Sequence, residues 1–244
     1  RLFNWTCEPC EAVGFRVVSE SAKLITHGAY LQADATFVYV ARLASISGES
    51  FDDGCAISFR GSKTLANYLE DFQFWSDAVP FAWCDGCYVH HGFHKVLDGL
   101  RGELLAALDA LGCAPGGRAG SGAGVGSALY LTGHSLGAAV ATLALVLLQE
   151  VGFRVRLMYT WESPRVGNSR FADAFDAAFG GLVPAFRVTH DRDPVPHLPP
   201  SRILGHQYTH VSGEVFINGS GEWTTCLGQE DPECAGRYGL AEAA

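Results

Sequence analysis

Residues 128–144 read "ALYLTGHSLGAAVATLA", and the fold turns on what happens at their centre. "ALYLTG" (128–133) is an unbroken apolar run, suited to a strand buried on both faces. From Leu136 to Gly152 alanines, valines and leucines follow with the length and composition of a buried helix. Between the two stands Gly133-His134-Ser135-Leu136-Gly137, a G-x-S-x-G corner in the strand-to-helix setting that this motif requires. Gly133 and Gly137 permit a crowded bend because neither carries a Cβ. Ala138, Ala139 and Ala141 let the first helical turns press against the sheet. The bend lifts the Ser135 hydroxyl clear of the backbone. It also aims the free N–H groups of the helix start at one spot, where they can stabilise an oxyanion.

Working outward, "DATFVYVARLAS" (34–45) and "CAISFRG" (55–61) read as strands, being β-branched and aromatic with Gly or Asp at their edges. Residues 93–112 place Val96, Leu97, Leu100, Leu104, Leu105, Leu108 and Leu111 at helical spacing, closed by Gly112. A Gly/Ser-rich loop covers 113–127. Beyond the corner the pattern continues as strand (153–161), helix (169–180), strand (184–190) and the proline-rich "DRDPVPHLPP". Strand and helix in alternation predict an α/β fold with a largely parallel sheet. With no repeat and no second core pattern, the 244 residues are expected to form a single domain.

Composition narrows the function. Net charge is -9 with no basic run, which excludes nucleic acid as an expected partner and argues against electrostatic attachment to an anionic membrane. No apolar run reaches the ~20 residues that span a bilayer. The opening "RLFNWTCEPC" has no apolar signal core, so a secretion signal is expected to have been removed. Eight cysteines include three close pairs, Cys7 with Cys10, Cys84 with Cys87 and Cys226 with Cys234. The sequons at Asn4 and Asn218 lie beside the first and last pairs. Together these predict a secreted, disulfide-bonded glycoprotein. Zinc is the rival for the two C-x-x-C pairs, but their separation far exceeds that of a zinc ribbon, and neither metal nor cofactor is expected. Cys55 and Cys113 read equally as buried thiols or a fourth bridge.

A serine hydroxyl needs a base and a group to orient that base. In this kind of fold the chain order is serine, acid, histidine. Asp191 and Asp193 follow the strand 184–190 and are the candidate acids; His197, His206 and His210 are the candidate bases. Spacing alone does not choose among them.

These residues are where the chain resembles the class 3, fungal-lipase-like branch of the α/β-hydrolases. The resemblance runs over about residues 30–225 through "SFRGS" (58–62), "VHHGF" (89–93), "LYLTGHSLGAAVATLA", "ESPRVGN" (162–168), "VTHDRDPVPHLPP" (188–200) and "YTHVSGEVFI" (208–217). It implies the α/β-hydrolase fold, a largely parallel central sheet with helices on both faces. It further implies Ser135 as nucleophile, Asp193 as acid and His210 as base. The backbone N–H groups of Ser62 and Leu136 become the oxyanion hole. "CDGC" falls on a disulfide that several members carry, His197 becomes a loop-packing residue, and His91 becomes scaffold rather than a metal ligand. "GEVFING" stands where the family's "EYW" is usual, and the chain from "CLGQEDPEC" onward matches only loosely.

Substrate class rests on "KTLANYLEDFQF" (63–74), where Leu65, Tyr68, Leu69 and Phe72 fall on one helical face. The resemblance makes this segment a lid. An apolar underside would cover the site in water and open at a lipid surface. The expected activity is therefore a monomeric, secreted lipase acting on tri- and diacylglycerols at a lipid–water interface. The alternatives are a soluble feruloyl or acetyl esterase, a phospholipid or galactolipid acyl hydrolase, and a non-catalytic lipid-binding relative.

Overall fold

The computed structural model describes residues 15–27, 36–45, 52–61, 76–78, 83–116 and 126–243. The strands are β1 (Phe15–Val17), β2 (Lys23–His27), β3 (Thr36–Ser45), β4 (Gly54–Phe59), β5 (Ser76–Ala78), β6 (Tyr88–His90), β7 (Ala128–His134), β8 (Arg154–Trp161), β9 (Ala185–His190), β10 (Arg202–Ile203), β11 (His206–Gln207), β12 (Glu214–Ile217) and β13 (Trp223–Thr225). The helices are α1 (His91–Ala110), α2 (Leu136–Val151) and α3 (Ser169–Phe179). The bounds of β3, β4, β7, β8, β9 and the three helices lie within two residues of those the sequence predicts; the remaining strands are not read from it.

The main sheet runs β1-β3-β4-β7-β8-β9-β12-β13, with β2 also beside β3. From β4 to β12 every neighbouring pair is parallel, and antiparallel strands close both sides. A parallel centre follows from the helical crossovers, since a strand that returns in the same direction needs a long connection.

Alternate strand residues Val38, Val40, Cys55, Ile57, Leu129, Leu131 and Val155 join α1, α2 and α3 in one hydrophobic core. Helix α2 is buried along nearly its whole length, as expected of a helix apolar on every side. It ends at Gly152, which takes the left-handed conformation and returns its N–H to Gln149 O. All three described helices belong to this one core, so a second helical layer is not among the described residues. The opposite sheet face leaves Tyr159 and Trp161 exposed. No described helix is long and apolar enough to cross a membrane.

Three of the bridges are formed: Cys55–Cys113, Cys84–Cys87 and Cys226–Cys234. The alternative left open for Cys55 and Cys113 is thus decided, and their bridge ties β4 to the residues after α1. Cys7, Cys10, Asn4, Ser62 and the segment 63–74 with Leu65, Tyr68, Leu69 and Phe72 lie outside the described residues.

Candidate active site

Ser135 stands between β7 and α2 with φ 54° and ψ -125°, a conformation that an L-residue rarely adopts. The neighbours hold it there. Its N–H donates to Trp161 O at 2.9 Å, and its carbonyl accepts from Ala138 at 2.9 Å and Ala139 at 3.3 Å. A Cβ on Gly133 would strike Gly137 O, and one on Gly137 would strike Phe59 O, so both glycines are required by close backbone approach. The amides that open α2, Leu136 among them, have no acceptor inside the helix. Among the described residues the Ser135 hydroxyl makes no hydrogen bond. A cavity of about 470 Å³ adjoins the elbow on the His134 side, lined by Ser58, Arg60, Thr132 and Trp161 among others. Ser135 does not line it.

Asp193 follows β9, on the edge of the sheet where parallel strands end and α/β sites gather. Its N–H donates to His190 O and its Oδ1 accepts from Val195 N–H at 2.8 Å. Asp191 is held differently: it has φ 42°, and its Oδ1 accepts from the Tyr238 hydroxyl at 3.2 Å.

His210 does not join them. It precedes β12 and lies against the acid loop, beside the Thr209–Gly167 bridge, and among the described residues it makes no hydrogen bond to Ser135 or Asp193. Its ring is buried, Nε2 lies 2.7 Å from Pro196 O, and its backbone N–H donates to Glu230 Oε1 at 2.9 Å. Burial and the guanidiniums of Arg187 and Arg165 hold its pKa well below the ordinary histidine value. A catalytic imidazole has to accept a proton in mid-reaction, and these surroundings oppose that charge. In this conformation His210 packs against the acid loop through Pro196. His197 is buried as well, with its pKa lowered by burial and by Arg165.

The loops carrying these residues are tied by a cation that the sequence reading left unassigned. Arg165 lies in "PRVGN"; it pairs with both oxygens of Glu230 at 2.8 and 2.9 Å and donates to His197 O and Pro199 O. Burial pushes the Glu230 carboxyl up, but Arg165 and the His210 N–H outweigh it and leave it below the ordinary value. A second pair, Arg187 with Glu214, is fully buried under the acid loop, where Glu214 also accepts from Thr189 and from Ala235 N–H. The block "PRVGN" was a signal for Arg165; nothing local pointed to Glu230, 65 residues on. Glu162, also missed, follows β8 at φ 47° and is 9% exposed.

Comparison with known proteins fits this geometry. The model of the family described as lipase (class 3) matches residues 56–203. Secreted mono- and diacylglycerol lipase 1 of Fusarium solani is 37% identical over 166 residues, covering 67% of this chain and 44% of that protein. A lipase of Rhizomucor miehei is 30% identical over 237 residues, covering 94% of this chain and 56% of its own length. The chain thus spans about half the length of such relatives. Among solved structures, the native Rhizomucor miehei lipase propeptide complex superposes with a TM-score of 0.67 at 28% identity, over 98% of this chain and 71% of that one. The lipase of Rhizopus microsporus var. chinensis gives 0.66 at 25%, over 98% and 77%. With the elbow, most of the parallel sheet and the acid loop inside the matched stretch, the chain belongs to the class 3 lipase family of the α/β-hydrolases.

Proposed function

We propose that the protein is a secreted serine carboxylic-ester hydrolase, a lipase cleaving acylglycerols through an acyl-enzyme on Ser135. The observation that carries this reading is the Ser135 backbone, held at positive φ between β7 and α2 with the free amides of the helix start beside it. Nucleophilic attack on an ester carbonyl makes an oxyanion, and amides pre-aimed at that position stabilise it without reorganisation. The Leu136 N–H is one such donor and the Ser62 N–H is the proposed second. Asp193 is the acid that orients the base. The base is a histidine; the resemblance implies His210, and its burial beside two guanidiniums makes that the part of the triad to test first. Water then releases the acid from the acyl-enzyme.

The relatives named as secreted mono- and diacylglycerol lipases support acylglycerols and export, and the three bridges fit an oxidising compartment. Asn218, whose Oδ1 accepts from the Ser220 hydroxyl in the turn between β12 and β13, is the proposed glycan acceptor among the described residues. Segment 63–74 is proposed as the lid.

Hydrolysis of tributyrin followed through its solubility limit tests the reading. A sharp rise once droplets appear is expected. Ordinary saturation without that rise would replace the lipase by a soluble esterase of feruloyl or acetyl esters, and no hydrolysis of any ester would leave the lipid-binding relative.

A further inference from the structure

Glu162 is a buried carboxyl that the chemistry above does not use, and it sits where its presence has a cost. Its φ of 47° lies in the left-handed region that disfavours a side chain, yet the residue is glutamate. Its backbone N–H donates to Val188 O, while the carbonyl of the preceding Trp161 accepts from Ser135 N–H. Residues 161–162 therefore bridge the nucleophile elbow and the strand that leads to Asp193. Glu162 Oε2 is buried and has no hydrogen-bond partner among the described residues. The groups that act on the carboxyl are burial first, then the charge of Asp193, the His190 main chain from β9, and Glu214 from β12; no basic side chain is among them.

A buried carboxyl with an unpartnered oxygen and no basic side chain acting on it does not ionise cheaply, and the charge of Asp193 adds to that cost. We propose that Glu162 is a positioning residue for Asp193, a carboxyl kept protonated at the end of β8 so that no second negative charge is set there against Asp193. Removal of that proton sets a second negative charge beside Asp193 and withdraws the loop from its working geometry. Glu162 thus acts as an alkaline limit on turnover. The inference rests on the esterase reading of Ser135 and Asp193, and deepens it.

Burial and Asp193 push the Glu162 carboxyl up to about 8. If only the protonated form is competent, kcat on dissolved tributyrin falls about tenfold between pH 7 and pH 9. The expected result is that E162Q, which keeps the shape and cannot ionise, stays level across that range. An E162Q profile superimposed on the native one would overturn the proposal. Carbon-13 NMR of the carboxyl groups in the same two proteins supplies a readout independent of turnover. A carboxyl titrating near pH 8 that disappears in E162Q is expected, and its absence in the native protein would overturn the proposal whatever the activity. Were that titration present in a folded protein with no turnover and no phosphonate label on Ser135, the esterase reading would fall, and with it the role assigned to the proton.

Discussion

Ser135 holds a backbone conformation unfavourable to its own side chain, and the local cost is borne by the packing of Gly133, Gly137 and Phe59 around it. That much was legible in the residues, because G-x-S-x-G between an apolar strand and an apolar helix leaves few other arrangements. The acid was legible only as a pair. The structure separates the two by their partners, Val195 N–H for Asp193 and the Tyr238 hydroxyl for Asp191. Asp193→Asn is therefore expected to lower turnover by about 10⁴-fold and Asp191→Asn by much less; steady-state kinetics of the two variants checks the ranking. For His210 nothing in the sequence marks what surrounds the ring. Arg187 and Arg165, 23 and 45 positions earlier, oppose its protonation. His210→Ala should lower stability by about 2 kcal/mol through the lost Pro196 contact and the space left behind while Ser135 keeps its reactivity toward a phosphonate. Reactivity lost in a folded variant would assign His210 as the base.

At the scale of elements, loops rather than strands needed explanation. Arg165 and Glu230 lie at separate points of the chain and meet beneath the acid loop, so no window of sequence contains the pair. A guanidinium donating to both carboxylate oxygens and two carbonyls is not replaced by an ammonium of similar charge. Arg165→Lys is expected to loosen the loop, with turnover reduced several-fold and amide exchange accelerated over residues 195–200. Unchanged exchange there would remove Arg165 from this role. The Cys55–Cys113 bridge closes a 58-residue separation between β4 and the end of α1. Replacing both cysteines by alanine should cost about 2–5 kcal/mol in denaturant unfolding. The sequence could number these cysteines but not pair them, since pairing depends on how the sheet brings β4 against the helix end.

For the whole molecule, buried titratable groups set a pH of greatest stability. His197 and His210 have folded pKa values below their unfolded value of 6.5, so stability is lost as pH falls through that value and the unfolded chain takes up protons. Glu230 is also depressed, and its contribution is lost at still lower pH, below its ordinary 4.5. Glu162 acts in the opposite sense. Raised from 4.5 to about 8, it contributes stability that is fully present below 4.5 and lost as pH rises through about 8. The sum predicts a maximum near pH 6.5 with losses on both sides. Because the Glu162 share is lost from 4.5 up to about 8, E162Q should flatten the slope above pH 6.5 and steepen the one below it. Thermal unfolding across pH 4–9 checks both. At this scale the parallel centre of the sheet was legible, because the alternation of strand and helix specifies it, while β1, β2, β12 and β13 were not, their short runs carrying no clear period. The pH balance was not, because each shift arises from burial and from charges that only the folded chain assembles.

The central claim is that Ser135 is the nucleophile, and its most direct test is mass spectrometry of the protein after reaction with a fluorophosphonate. The expected result is a single adduct on the peptide containing Ser135, absent from a folded Ser135→Ala variant. A folded native protein that takes no adduct, or takes it at another residue, would contradict the account.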